Sequence, residues 1–131
     1  DISPKMVQIN TLTVLNYPML MNTGTVWDTA LIDAADENPD PFFVISSGTS
    51  PLFTSGQYFN ATGETLTVSN LDIELYPTNQ YVFGLYDADI IGSETMGEFY
   101  FTPYSVINGT PDTRIFTSGS LSIELGLSYI Y

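Results

Sequence analysis

Residues 81–89 read YVFGLYDAD, and this segment organises the interpretation of the whole chain. Its apolar and aromatic first half is typical of a β-strand, and Gly92 and Gly97 mark the turn that follows. Side chains two residues apart on a strand point to the same face, so Asp87 and Asp89 are expected to present their carboxylates together. A cation between them would remove their repulsion. A cluster made of oxygen donors alone suits calcium.

The other acidic residues are also concentrated. The chain has 15 acidic residues against two basic ones, and nine of the 15 lie at residues 28–40 and 87–98. A charge that served only solubility would be spread over the surface. The two acidic runs therefore predict a cation-binding site. The alternative is that they are two solvated loops without a ligand.

Charge and composition exclude several classes of function. Lys5 and Arg114 cannot neutralise a phosphate backbone, so nucleic acid is excluded as a partner, and electrostatic binding to an anionic membrane is disfavoured. The chain has no histidine and no cysteine, which removes the commonest acid–base group, the best nucleophile and the usual zinc ligands. Glycoside hydrolysis by a carboxylate pair requires one protonated acid, whereas these acids are clustered. The sequence therefore predicts a protein that is not an enzyme.

The expected location is extracellular, at the cell surface or in the periplasm. A chain without cysteine is compatible with export, and no apolar run is long enough to span a bilayer. The first residue is Asp1 rather than methionine, which suggests that a leader or preceding domains have been removed.

Short strand-like segments recur about every ten residues, without a competing helical period. They are found at residues 5–15, 42–46, 52–55, 57–60, 65–68, 71–75, 81–86, 97–103, 114–117 and 121–131. In the first of them Val7, Ile9, Leu12 and Val14 are expected to point inward, with a slip in the alternation at residues 10–11. This pattern predicts one all-β sandwich domain over residues 1–131, with a core from about residue 5. Residues 18–40 form a long connection with a brief helical turn at 29–35, and connections of this length are usually functional.

Residues 87–98 also match five ligand positions of an EF-hand loop and its glycine at position 6. Ile91 occupies a position that requires an oxygen ligand, and the flanking segments are strands rather than helices. We therefore reject the EF-hand interpretation.

Both acidic runs resemble the calcium loops of C2 domains. YDAD at residues 86–89, followed by ETMG at 94–97, resembles the third calcium loop of that family, and DPFFV at 40–44 resembles the Asp-Pro-Tyr-Val start of the strand after the first loop. The resemblance covers roughly residues 5 to 131. It implies an antiparallel eight-stranded sandwich, with calcium held between loops at one end. Since the chain starts with the strand that leads into the first loop, it also implies the circularly permuted (type II) topology.

The first loop departs from the family pattern. Ala34 occupies the position that usually holds an aspartate, flanked by Asp33 and Asp36 in a longer loop, and the third loop is one residue shorter and carries Glu94 in place of aspartate. Trp27, within the enlarged loop, suggests a divergent, bacterial and exported branch. By resemblance, the calcium ligands are Asp33, Asp36, Asp40, Asp87, Asp89 and Glu94.

The function expected from this resemblance is a calcium-binding interaction module with a protein partner. Calcium-dependent lipid binding is an alternative, and it would use apolar residues beside the acidic loops, namely Met19, Leu20, Met21, Ile90 and Ile91. Carbohydrate binding is another, although the single tryptophan and the strand positions of most aromatic residues argue against a sugar-binding platform. A C2-like domain that has lost its metal is the remaining alternative.

Overall fold

The computed structural model describes residues 3–19, 38–59, 61–88 and 93–131. These residues contain the strands β1 (Met6–Asn16), β2 (Pro41–Ser47), β3 (Ser50–Thr54), β4 (Leu66–Val68), β5 (Ile73–Leu75), β6 (Tyr81–Ala88), β7 (Ser93–Phe101), β8 (Thr113–Ser118) and β9 (Leu121–Ile130). Within these described ranges, no helix has the length and apolar character needed to cross a bilayer.

The strands form two antiparallel sheets. One sheet has the order β3-β2-β6-β7, and the other has the order β4-β1-β9-β8 with β5 also paired to β1. The described residues thus contain nine strands, whereas the resemblance to C2 domains implies eight. The difference arises because β4 pairs with Leu12–Val14 and β5 with Val7–Ile9, so that the two short strands share one edge of β1.

The split between β4 and β5 lies beside an irregularity in β1. The pairing of β1 with β9 shifts register between Ile9 and Thr11, which leaves Asn10 as the extra residue of a bulge. The carbonyl of Asn10 accepts a hydrogen bond from the backbone N–H of Leu71 at 2.8 Å, between the two short strands. The bulge resets the alternation, so Val7, Ile9, Leu12 and Val14 are all fully buried. This confirms the slip and the inward positions that the sequence predicts.

Aromatic rings join the two sheets in the core. The Phe83 ring lies 5.6 Å from that of Phe43 and 5.5 Å from that of Phe99, measured between centroids. Phe99 in turn stacks on Phe116 of β8 at 6.2 Å, which connects the four-stranded sheet to the five-stranded one. Such ring pairs contribute about 0.5–1.5 kcal/mol each beyond the area that they bury.

The predicted strand at residues 57–60 is wrong for its described part, since residues 57–59 are not strand. The backbone N–H groups of Ser55, Tyr58 and Ala61 donate to the carbonyls of Phe43, Pro41 and Pro39. The segment therefore advances three residues for every two residues on its partner. A regular ladder pairs residues one to one, so this spacing prevents a strand although the segment remains attached to β2. The predicted helical turn at 29–35 lies outside the described residues.

Candidate functional site

The inner face of β6 leads from the apolar core directly to a carboxylate. Tyr81, Phe83, Leu85 and Asp87 alternate along this face, and all four are buried. Asp87 is 0% exposed, and its carboxyl oxygen Oδ1 accepts a hydrogen bond of 2.7 Å from the backbone N–H of Asp40. Burial of an ionised carboxylate is costly unless hydrogen bonds or a cation compensate for the lost water. The carboxylate of Asp87 therefore requires hydrogen bonds or a cation to compensate for its burial.

The sheet register brings two further acids to the same end. Glu94 on β7 is the direct cross-strand partner of Asp87, and Pro41 at the start of β2 is its partner on the other side. Asp40 immediately precedes Pro41, and its carbonyl accepts a hydrogen bond from the N–H of Ala88 at 3.0 Å. Because like charges directly opposite each other on neighbouring strands are destabilising, a cation at this end would stabilise the fold.

The structure describes three of the six predicted ligands. Asp40, Asp87 and Glu94 lie at one end of the four-stranded sheet, on three adjacent strands or their immediate extension. Within the ranges 3–19, 38–59, 61–88 and 93–131, no group of three acids is close enough to hold a metal by itself. The other predicted ligands and contact residues lie outside those ranges: Asp33, Asp36, Asp89, Leu20, Met21, Ile90 and Ile91. Met19 is half-buried and packs against the hydrophobic core.

The donor set suits a hard cation. The side chains of Asp40, Asp87 and Glu94 offer only oxygen donors. Calcium takes six to eight such ligands, so a complete site would require donors beyond these three residues.

Sequence reasoning missed the outer face of the same sheet. Phe42 and Tyr86 are cross-strand partners there, and their ring centroids lie 5.5 Å apart. The Tyr86 ring lies across the backbone of Gly84, where a Cβ would overlap the tyrosine hydroxyl. The signal in the sequence was Gly84 itself, because a glycine within a strand often marks a close approach of another group.

The hydroxyl of Tyr86 donates a hydrogen bond of 3.1 Å to Oε2 of Glu98. The pKa of Tyr86 is raised above its ordinary value, first by burial and then by the hydrogen bond to Glu98 and the charge of that carboxylate. The neutral phenol is thus the form that this arrangement favours.

Comparison with models of known protein families gives no match, and comparison with curated protein sequences gives none either. Solved structures do match. A structure described as that of a C2 domain is 8% identical with a TM-score of 0.58, and the match covers 96% of this chain and 98% of the other. A calcium-bound structure of two C2 domains of extended synaptotagmin 2 is 16% identical with a TM-score of 0.58, over 97% of this chain and 46% of the other.

Human GIVD cytosolic phospholipase A2 in complex with methyl gamma-linolenyl fluorophosphonate is 14% identical with a TM-score of 0.56. That match covers 95% of this chain but only 17% of the phospholipase, so this chain corresponds to a small part of the enzyme. Two antiparallel sheets and matches over nearly the whole chain lead to one conclusion about architecture: this protein is a C2-like β-sandwich.

Proposed function

We propose that this chain is a non-catalytic, calcium-binding module that mediates an interaction with a protein or a surface. The observation that carries the proposal is the fully buried carboxylate of Asp87, which lies at the sheet end where Asp40 and Glu94 also lie. A calcium ion there would neutralise acids that otherwise repel each other. It would also join the segment before β2 to the segment between β6 and β7.

The proposed ligand set is the one that the sequence predicts, with Asp33, Asp36 and Asp89 completing a site begun by Asp40, Asp87 and Glu94. Calcium that binds only the folded state stabilises that state by mass action, by about 2.7 kcal/mol at a concentration 100 times the Kd. For a domain of this size, such a gain raises Tm by roughly 10 °C.

Thermal melts test the proposal, in excess EDTA and again in millimolar calcium. The variants are Asp87→Asn, which removes the buried charge but keeps an oxygen acceptor, and Glu74→Gln, which removes an exposed acid from β5. We expect calcium to raise the Tm of the natural chain and of Glu74→Gln, but not that of Asp87→Asn. Equal Tm values in EDTA and calcium for the natural chain would contradict calcium binding and favour a C2-like domain that has lost its metal.

The non-catalytic part of the proposal is supported by the chemistry of the chain. The chain has no histidine and no cysteine, which the common proton-transfer and nucleophilic mechanisms use. If the natural chain hydrolysed a glycoside, ester or phosphate ester and Asp87→Asn abolished that activity, the proposal of a non-catalytic module would be contradicted.

We further propose that the module acts outside the cytoplasm of a bacterium, at a cell surface or in the periplasm. The cysteine-free composition and the charge of −13 are compatible with that location. Fractionation of the source cells, followed by detection of the protein in each fraction, tests this location. A purely cytoplasmic distribution would contradict it.

Calcium-dependent lipid binding has less support, because Met19 packs against the core. Sedimentation with phosphatidylserine vesicles in calcium would reveal it.

We infer the permuted C2 topology from the position of the two long strands of the five-stranded sheet. The C-terminal strand β9 pairs with β1 along nearly its whole length, and β1 leads directly towards the first acidic run. In the permuted form, β9 occupies the position that the first strand fills in the other topology. An experimental structure in which β1 and β9 were not neighbours would contradict this assignment.

A further inference from the structure

The outer face of the four-stranded sheet carries a groove of about 390 Å³. Along β2 and β6, Phe43, Phe83 and Leu85 face the core, whereas Phe42 and Tyr86 face outward into the groove. Ligand-binding clefts in proteins typically measure about 300–1,000 Å³, so the groove has room for a small ligand.

The position of one ring in this groove is fixed by two neighbours. A Cβ on Gly84 would overlap the hydroxyl oxygen of Tyr86 and lie 2.5 Å from its Cζ atom, so the phenol ring lies flat across the bare backbone of Gly84. At its far end, the hydroxyl donates to Glu98, the cross-strand partner of Gly84 on β7. The ring is therefore held with one face against the sheet and the other towards the groove.

A second ring extends this surface. Phe42 is the cross-strand partner of Tyr86, and the two ring planes meet at 36° with centroids 5.5 Å apart. The pair forms a shallow aromatic floor, which we call the Phe42–Tyr86 platform.

The rest of the lining combines hydroxyl groups with small apolar surface. Ser46, Thr49 and Thr54 contribute hydroxyls, and Val44 and Pro51 contribute apolar surface. Each hydroxyl both donates and accepts hydrogen bonds. Aromatic rings on one side and hydroxyls on the other match a ligand that is apolar on its flat faces and hydroxylated at its rim.

The charge of the protein limits the class of ligand further. None of the described residues that line the groove is charged, and the chain as a whole has a net charge of −13. The guanidinium of Arg114, one of the two basic residues of the chain, donates to the carbonyls of Thr102 and Pro103. Phosphate, sulfate and carboxylate ligands would therefore find repulsion at long range and no basic partner in the groove.

We propose that this groove binds a neutral sugar, with the C–H face of a pyranose ring stacked on the Phe42–Tyr86 platform and its hydroxyl groups bonded to Ser46, Thr49 and Thr54. A proline-rich peptide also stacks on aromatic rings. Its carbonyl groups can accept hydrogen bonds from these three hydroxyls, but proline has no N–H to donate to them. The hydroxyl groups of a sugar both donate and accept, so a sugar can use the aromatic rings and the hydroxyls of the lining together.

The test uses the full chain in millimolar calcium on an array of neutral oligosaccharides of glucose, galactose, mannose and N-acetylglucosamine, with sialylated and sulfated glycans beside them. A decaproline peptide is the competing probe. We expect binding to at least one neutral series and none to the acidic glycans. Because none of the lining residues that the structure describes is charged, we expect that binding to persist from about 0.05 M to about 0.5 M salt.

Variants locate the binding. Tyr86→Ala removes the platform and should weaken binding roughly tenfold or more, about the effect of 1.4 kcal/mol. Tyr86→Phe keeps the ring and removes the bond to Glu98, so binding should fall less. Tyr76→Ala removes a tyrosine that is 61% exposed and lies outside the groove, and it should change nothing. Circular dichroism melts verify that each variant is folded.

Three results would overturn the proposal: no neutral glycan bound by the folded natural chain, binding that Tyr86→Ala leaves intact, or binding of decaproline alone.

Discussion

The carboxylate of Asp87 on β6 is hydrogen-bonded to the main chain of Asp40, the residue just before β2. The N–H of Asp40 donates to Oδ1 of Asp87 at 2.7 Å, and the carbonyl of Asp40 accepts from the N–H of Ala88 at 3.0 Å. The last residue of the first acidic run, Asp40, therefore contacts β6, the strand on which the second acidic run begins. This contact aligns the two segments that we propose to share a calcium ion.

Replacing Asp87 should separate the effect of its charge from that of its hydrogen bond. Asp87→Ala removes the acceptor for the N–H of Asp40, and an unsatisfied buried donor costs about 1–3 kcal/mol. Asp87→Asn retains an oxygen acceptor and the approximate shape. We expect Asp87→Ala to be less stable than Asp87→Asn by that amount in urea unfolding with EDTA present. Equal stabilities would show that the contact with Asp40 contributes nothing to folding.

Gly84 and Tyr86 should be energetically coupled. In Gly84→Ala the new methyl group forces the Tyr86 ring away and breaks its bond to Glu98, at a cost of about 0.5–1.5 kcal/mol. In a Tyr86→Ala background the same substitution meets no ring, and alanine in place of glycine should then be neutral or stabilising. A double-mutant cycle measures this difference. An additive cycle would mean that the ring does not rest on Gly84.

Arg114 should resist even a conservative replacement. Its Nη1 donates to the carbonyls of Thr102 and Pro103 at 3.2 Å and 3.0 Å, and its guanidinium carbon lies 4.5 Å from the centroid of the Phe116 ring. Burial lowers the pKa of Arg114, although the charge of Tyr129 opposes that shift. A lysine has no planar guanidinium to lie against the Phe116 ring while one of its nitrogens donates to both carbonyls, so we expect Arg114→Lys to lose about 1–2 kcal/mol.

Chemical denaturation checks the Arg114→Lys prediction. The matched control is Lys5→Arg, at an exposed position ahead of β1, which should be neutral. An unchanged stability for Arg114→Lys would contradict the structural role of the guanidinium.

Stability should fall in alkaline solution. Burial is the largest cause that raises the pKa values of Tyr17, Tyr58, Tyr86 and Tyr129 above the ordinary value of 10.0. A group whose pKa is higher in the folded state binds its proton more tightly there, so its contribution is full below the unfolded pKa and is lost as pH rises through the folded one. We therefore expect Tm to be flat just below pH 10 and to decline above it.

Glu98→Gln provides a specific check on the alkaline prediction. Removing this carboxylate eliminates one cause of the raised pKa of Tyr86, so the ultraviolet titration of that phenol should move to lower pH. Tyr58 has burial as its only cause and should titrate as before. A titration of Tyr86 that Glu98→Gln left unchanged would contradict the contact.

Much of this fold could be predicted from local patterns. The interrupted alternation from Val7 to Val14 predicts a bulged strand, and the run that ends at Asp87 predicts a buried strand with an acid at its end; the structure has both. Each prediction depends only on which side chains of a strand face the core. The free energy of burying apolar side chains determines that orientation strongly. The structure likewise places Asp40 and Glu94 beside Asp87 through strand register.

Features that depend on distant partners were not predictable. Whether residues 57–59 form a strand depends on how they are spaced along β2, which lies elsewhere in the sequence. The orientation of Tyr86 depends on Gly84 and on Glu98, a residue of the next strand. The strand positions of most aromatic residues argue against a sugar-binding platform, and Tyr86 is one of these strand residues, whose side chains ordinarily stand away from the sheet. The missing side chain at Gly84 removes that constraint.

The division of the β1 edge between β4 and β5 has a consequence for self-association. A long, continuous outer strand offers a row of unpaired backbone groups on which another chain can add a strand and begin an aggregate. Here that row is replaced by two strands of three residues each. Asn70, with a φ of 56°, turns the backbone between them. An incoming chain would therefore meet two short, separated segments on this side of the sandwich, and neither is long enough to start a fibril.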